Sequence, residues 1–224
     1  MIYIHLKKHF VSELNHELWS TESWYNMNQK PINNPGIKRS NPNPLVINTL
    51  SASEIKSGWQ LLFNGKNLEG WRNFKKQTIG KSWMVQDDAI YLNALPSKDG
   101  NWQVNDGGDI ITDKRYENYE FRCEWKIGNC GNSGIIFNVV EEDKYNYVWQ
   151  TGPEMQVLDN TCHPDARYVT HKAGDLYDMI ACKYVVVKPA GEWNQVRIVN
   201  NKSNVDFWLN GTKVVSFTMH DAKW

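Results

Sequence analysis

Glu154, Gln156 and Asp159 are the side chains whose types and spacing point most directly to chemistry. They lie in the stretch Gly152-Pro153-Glu154-Met155-Gln156-Val157-Leu158-Asp159, which reads as a short strand. Side chains i and i+2 share a face of a strand, so Glu154 and Gln156 point the same way, with Leu158 next. Asp159 joins them only if a β-bulge accommodates one extra residue, and bulges are common beside active sites. Two carboxyl groups flanking an amide on one sheet face would form an acid/base constellation. The same spacing also fits a strand that ends at an Asp159-Asn160 turn, with Glu154 on a solvated face.

The elements that position these residues must come from a chain of 224 residues, enough for one large domain or a domain plus a tail. Lys+Arg and Asp+Glu number 25 each, so the formal net charge is zero. That balance argues against a nucleic-acid partner or a membrane surface held by charge. No apolar run is long enough to span a membrane. Eleven Trp and ten Tyr are many for this length. Aromatic rings fill cores and also stack on sugar faces, so their number tilts the reading towards carbohydrate. Four cysteines, Cys123, Cys130, Cys162 and Cys182, lack any Cys-x-x-Cys spacing, which argues against a structural zinc site. Cys123 sits in an apolar strand pattern and is expected as a buried thiol. A Cys162–Cys182 or a Cys123–Cys130 bridge is compatible with the sequence in an exported protein. His163, His171 and Asp159 could supply ligands to a divalent metal, but no strand or helix spacing supports that grouping.

Along the chain, residues 1–50 differ from the rest. Phe10, Leu14 and Leu18 recur at helical spacing, and residues 26–48 are rich in Asn with Pro31, Pro35, Pro42 and Pro44. This composition resists regular structure and predicts an irregular tail or linker. A capping box at Ser51 and Glu54 predicts a short helix. Short strands are expected at 59–63, 82–85, 89–92, 119–126, 135–140, 147–150, 154–158, 184–187, 195–199, 205–209 and 213–217. Asp87-Asp88 and Asn210-Gly211 mark hairpins. In 119–126, Tyr119, Phe121, Cys123 and Trp125 face one side while Glu120, Arg122, Glu124 and Lys126 face the other. Residues 128–134 read as a turn, and 160–183 as a polar loop carrying His163, His171, Asp175 and Tyr177. So many short strands with no core helix predict an all-β sandwich of antiparallel sheets over 51–224.

Gly58-Trp59-Gln60-Leu61-Leu62-Phe63-Asn64-Gly65-Lys66-Asn67-Leu68-Glu69-Gly70-Trp71 resembles the opening of a bacterial family now described as 3-keto-disaccharide hydrolase, formerly a domain of unknown function. The resemblance continues through Gly108-Asp109-Ile110-Ile111-Thr112, residues 119–126, Asn132-Ser133-Gly134-Ile135-Ile136-Phe137 and residues 152–159. Ala173-Gly174-Asp175-Leu176-Tyr177-Asp178, Gly191-Glu192-Trp193-Asn194 and Phe207-Trp208-Leu209-Asn210-Gly211 complete it, in the family's order. It implies a concanavalin A-like jelly roll, related in architecture to lectins and laminarinase-type glucanases. Those glucanases carry Glu-x-Asp-x-x-Glu on a bulged strand of the concave sheet, where this chain reads Glu154-x-Gln156-x-x-Asp159. The middle acid has become an amide and the last is a methylene shorter, which weakens the case for a carboxyl pair about 5 Å apart as a retaining glycosidase uses. Family members continue with a Gln-Asp-His-Gly stretch and a final strand reading like Phe-Arg-Asn-Ile. Neither is in this sequence, so the 51–224 domain is expected without that strand. The resemblance implies a periplasmic or extracellular location, although the segment from Met1 to Lys8 has no apolar core long enough for a signal peptide.

The chemistry implied is cleavage of 3-keto-glycosides. A C3 carbonyl acidifies the C2 proton; its loss permits elimination of the C1 oxygen, and water then adds back. Such a site needs a base near C2, an acid near the leaving oxygen, and donors or a divalent metal at the C3 oxygen. On this reading Glu154 is the base and Asp159 or His171 the acid. Gln156, Lys126, Asn132, Ser133, Asp175 and Tyr177 are candidates to bind a small carbohydrate substrate. Lys126 also fits a solvated strand face, and Asn132-Ser133 a turn between glycines. Two rival functions stay open at this point: a non-catalytic carbohydrate-binding module on the same scaffold, and a conventional glycosidase acting on unoxidised glycans.

Overall fold

The computed structural model describes residues 47–94, 104, 106–222 and 224, and the backbone of residues 2–5. It is an all-β sandwich whose named strands pair antiparallel throughout. β1 (Ile2–His5), β3 (Trp83–Gln86), β4 (Ala89–Leu92), β6 (Tyr119–Ile127), β9 (Asn194–Asn201), β10 (Asn204–Leu209) and β11 (Thr212–Thr218) form one sheet, ordered β11-β10-β9-β6-β1-β4-β3. β2 (Trp71–Asn73) pairs with β5 (Ile110–Thr112), and β7 (Asn132–Ile136) pairs with β8 (Glu154–Leu158). The one α-helix among the described residues, α1 (Ala52–Lys56), starts at the expected capping box of Ser51 and Glu54.

Period-2 patterning places the core. Cys123 and Trp125 of β6, Ile198 of β9, Phe207 and Leu209 of β10, and Met155 and Val157 of β8 meet in one cluster between the layers. Phe207 lies edge-on to Phe137 at 5.8 Å and to Phe217 at 5.6 Å. The opposite face of β6 carries charge: Glu120 accepts from Arg122 and Arg197, and the Arg197 guanidinium lies 4.2 Å over the Trp208 ring. Both hairpins form as expected, with positive φ at Asp87 and Asp88 and at Asn210 and Gly211, the geometry of type I′ turns.

Several local expectations are corrected. Residues 59–63 are not a strand; Phe63 is buried beside Trp83 and Ile90. Their apolar pattern serves packing, not pairing. Residues 147–150 form a 3-10 helix, Val148–Gln150, instead of a strand. No strand forms over 184–187, where asparagine side chains bond the backbone at Val186 and just beyond the segment. Asn210 donates to the Val186 carbonyl at 2.8 Å, and Lys188 N–H donates to Asn194 Oδ1 at 2.8 Å. The turn at 128–134 closes early, with Gly131 N–H on the Gly128 carbonyl at 3.0 Å, so Asn132 and Ser133 are strand residues. Within the first fifty residues, Ile2–His5 is a strand seated between β6 and β4, not irregular tail. The helical spacing of Phe10, Leu14 and Leu18 and the Pro-rich stretch at 31–44 lie outside the described residues.

Cys123 is free and buried as expected, but the disulfide joins Cys130 to Cys162, neither of the pairs the sequence suggested. The β7–β8 register explains it. Asn132 opposite Leu158 brings the turn before one strand against the turn after the other, with Cα atoms 4.7 Å apart. Replacing both cysteines by serine is expected to lower unfolding stability by about 3–4 kcal/mol for a loop of this size, read by denaturant titration without reductant.

A second brace holds β2 to the loop after β7. Arg72 donates to both Glu141 oxygens, at 2.7 and 2.5 Å, and its Nε lies 3.3 Å from Asp113. The Arg72 hydrogen bond holds the Glu141 carboxyl down at about 2, helped by Lys75 N–H. Its stabilisation is therefore complete above the ordinary carboxylate value of 4.5 and is lost as pH falls from there towards 2. Glu141→Gln is expected to cost about 1–3 kcal/mol at pH 7 in thermal unfolding, with the gap to wild type closing near pH 2.

Candidate active site

Glu154 opens β8 directly opposite Ile136, and Gln156 lies opposite Gly134. Asn132, Gly134 and Ile136 thus share the face of Glu154, Gln156 and Leu158. Gly134 is what admits the glutamate. A Cβ there would stand 1.6 Å from Glu154 Oε1 and 2.6 Å from its Cγ, so the carboxyl lies against bare backbone. The other edge of β8 is covered by residues 174–177. Gly174 N–H donates to the Gln156 carbonyl at 2.8 Å, Gln156 N–H to the Asp175 carbonyl at 3.0 Å, and Tyr177 N–H to the Glu154 carbonyl at 2.9 Å. Glu154 therefore sits on a strand locked along both edges.

Burial pushes the Glu154 carboxyl up to about 7, and the negative charge of Asp109 adds to the rise. Asp109 comes from the turn entering β5, where Phe74 N–H and the buried Asn73 amide hold its carbonyl at 3.0 and 3.1 Å. Desolvation also raises the Asp109 carboxyl, although the residue as a whole is exposed. Across the strand, the Tyr177 ring stacks on His171 at 4.2 Å, and the Tyr168 ring lies tilted against the imidazole at 4.9 Å. His171 Nε2 lies 3.3 Å from Asp178 Oδ1, while its Nδ1 is buried with no hydrogen-bond partner among the described residues. The Tyr177 phenol is raised by burial first, then by the charges of Asp165, Glu154 and Asp178. Asn132 donates to Asp165 at 3.3 Å on the same side.

Glu154, Gln156, Asn132, Tyr177 and His171 are thus brought together. Gln156 forms the floor, almost fully buried, with its Oε1 accepting from Val157 N–H at 3.0 Å. The other candidates lie elsewhere. The β7–β8 register runs without a bulge, so Asp159 falls past the strand end on the side away from Glu154. There its carboxylate accepts from Cys130 N–H at 2.9 Å, Thr161 N–H at 3.0 Å and the Thr161 hydroxyl at 2.6 Å. Burial alone would raise it; these bonds bring it below the ordinary range. It fastens the turn at the disulfide. Ser133 alternates to the core face, on a cavity of about 1370 Å³ between the layers that it shares with Val157 and Trp125. Glu154 does not line that cavity. Asp175 is buried, accepting from Cys182 N–H at 2.7 Å and Lys172 N–H at 2.6 Å, and organises its loop. Lys126 lies on the far face of the other sheet, its Nζ 5.0 Å over the Trp193 ring. His163 Nδ1 accepts from Asp165 N–H at 3.2 Å as a helix cap, and its charge reaches Asp159 but not a three-residue grouping with His171. Among the described residues no three His, Cys, Asp or Glu side chains are grouped to hold a metal ion.

Asp109, Gly134, Tyr168, Asp165 and Asp178 carry no role in the sequence reading. A glycine inside a strand is a recognised sign of close approach, so Gly134 was within reach of pattern reasoning. The meeting of Asp109 with Glu154 depends on tertiary contact and has no local signature.

Residues 58–224 match the model of the 3-keto-alpha-glucoside-1,2-lyase-like domain. A protein of Bacteroides thetaiotaomicron, a 3-keto-disaccharide hydrolase, is 34% identical over 195 residues, covering 79% of this chain and 67% of that protein. The crystal structure of a candidate glycosyl hydrolase from Parabacteroides distasonis superposes with a TM-score of 0.68 at 34% identity, covering 79% of each chain. On the family match over residues 58–224 and relatives of this kind, the chain belongs to the 3-keto-alpha-glucoside-1,2-lyase-like domain family and is a glycoside-hydrolase-like enzyme.

Proposed function

We propose that this enzyme cleaves 3-keto-glycosides by elimination and hydration, with Glu154 as the base that removes the C2 proton. The observation that carries this reading is a mostly buried carboxyl with its pKa pushed up to about 7, where base strength and ionisation are balanced at neutral pH. Ionised Glu154 takes the proton from C2, the electrons form the C1–C2 double bond conjugated with the C3 carbonyl, and the C1–O bond breaks. The protonated Glu154 exchanges its proton with solvent, water then adds at C1, and Glu154 delivers the exchanged proton to C2. His171, whose Nε2 lies at Asp178 and whose ring stacks on Tyr177, is assigned to protonate the leaving oxygen. Asp159, tied up at its turn, is not suited to that step. Asn132 can donate to a sugar oxygen from the site's rim.

The Glu154–Asp109 pair favours one second reading, a conventional glycosidase using two carboxyl groups on unoxidised glycans. Incubation with 3-keto-trehalose and with trehalose separates the two. Release of 3-keto-glucose with no glucose from trehalose is expected; turnover of trehalose or of a nitrophenyl glucoside would favour the conventional reaction. We further propose that the enzyme works in the periplasm or outside the cell, since its disulfide suits an oxidising compartment.

A further inference from the structure

We propose that Tyr147 and Trp149 form a stacking platform for the sugar on the leaving-group side of the scissile bond; this rests on the 3-keto-glycosidase reading. The two rings are parallel, 12° apart with centroids at 5.5 Å, yet they are about half and three-fifths exposed, at 51% and 61%. Rings that pack a core do not leave this much surface open, and the open outer face of a stacked aromatic pair suits the C–H face of a pyranose.

The platform is built and held. Val148 between the two rings is buried at 3% and anchors the segment from inside, which turns residues 147 and 149 outward. Gln150 Oε1 accepts from Asn146 N–H at 2.8 Å and Tyr147 N–H at 3.0 Å, and the Thr151 hydroxyl donates to the Val148 carbonyl at 2.8 Å. The chain then passes Gly152, packed on the Phe137 carbonyl, and Pro153, whose carbonyl accepts from Phe137 N–H at 3.1 Å, straight into Glu154. The exposed rings therefore stand at the end of β8 that carries the base, where a second sugar leaving C1 needs support.

The test compares Trp149→Ala and Trp149→Phe with wild type on 3-keto-trehalose and on methyl 3-keto-α-glucoside, which has no second ring. Trp149→Ala is expected to lose about tenfold in kcat/KM on the disaccharide, mostly in KM, with less than twofold change on the methyl glycoside. Trp149→Phe should keep most of the disaccharide activity. Equal losses on both substrates, or no loss on the disaccharide, would overturn the platform. If wild type cleaves neither substrate, the 3-keto-glycosidase reading fails on its own. Calorimetric titration with trehalose then decides the platform: binding weakened by Trp149→Ala supports it, and no binding or unchanged binding overturns it.

Discussion

Glu154→Gln is expected to lower kcat/KM on a 3-keto-disaccharide by about 10³-fold, the scale of removing a general base, while raising stability at alkaline pH. In wild type, the rate should rise with pH and level off above an inflection near the value of about 7 to which burial pushes this carboxyl. The stability effect has the opposite sign. The folded state holds a proton between the ordinary carboxylate value of 4.5 and about 7, whereas the unfolded chain has already released it. Wild-type stability therefore falls as pH rises through that window, and the penalty is complete above it. Glutamine carries no such penalty, so the variant should gain up to about 3 kcal/mol at pH 8 and nothing at pH 4. Activity assays with thermal melts at both pH values read the two effects together. An active variant, or one destabilised at pH 8, would remove Glu154 from the role assigned to it.

Gly134→Ala is expected to reduce activity by at least about 10²-fold through the same carboxyl, although residue 134 has no chemistry of its own. A methyl at that position overlaps Glu154 from Oε1, at 1.6 Å, back to Cγ, at 2.6 Å, so the side chain must leave the strand face. Glu154 can swing into solvent, so the fold should lose only about 1–3 kcal/mol, the usual cost of overpacking. A carboxyl moved into water returns towards its ordinary pKa. Residual activity should then lose its inflection near 7 and show one at lower pH, a change that general loosening would not produce. Adding Gly134→Ala to Glu154→Gln should cost little further activity, because both act on one group.

The parts of this molecule legible in its sequence are those written in short-range patterns. The alternation across 119–126 forecasts a strand with Trp125 and Cys123 in the core, and the Asp87-Asp88 and Asn210-Gly211 turns forecast their hairpins. Glu154 and Gln156 share a face because period-2 geometry leaves no choice. What escaped the sequence was decided at longer range. Asp159 was expected beside Glu154 through a bulge, yet Cys130 N–H and Thr161 reward a regular strand ending instead. The Cys130–Cys162 bridge depends on β7–β8 register, which spacing along the chain does not encode. Lys126 is polar and on a strand, but it belongs to the other layer, and only the sheet order separates it from the site. Residues 184–187, a tyrosine and three valines, look like a strand, but the Val186 carbonyl is taken by the Asn210 side chain and not by a neighbouring strand.

The most direct test of elimination at C2 is isotopic. The enzyme is given 3-keto-trehalose in D₂O, and deuterium at C2 of the newly released 3-keto-glucose is measured by NMR against preformed product incubated alone. Elimination followed by hydration predicts deuterium at C2 in each sugar released from the scissile side, above the background exchange of the product, and no turnover by Glu154→Gln. Release of 3-keto-glucose still carrying protium at C2 would mean that the bond breaks by displacement at C1, and the role assigned to Glu154 as the C2 base would be wrong.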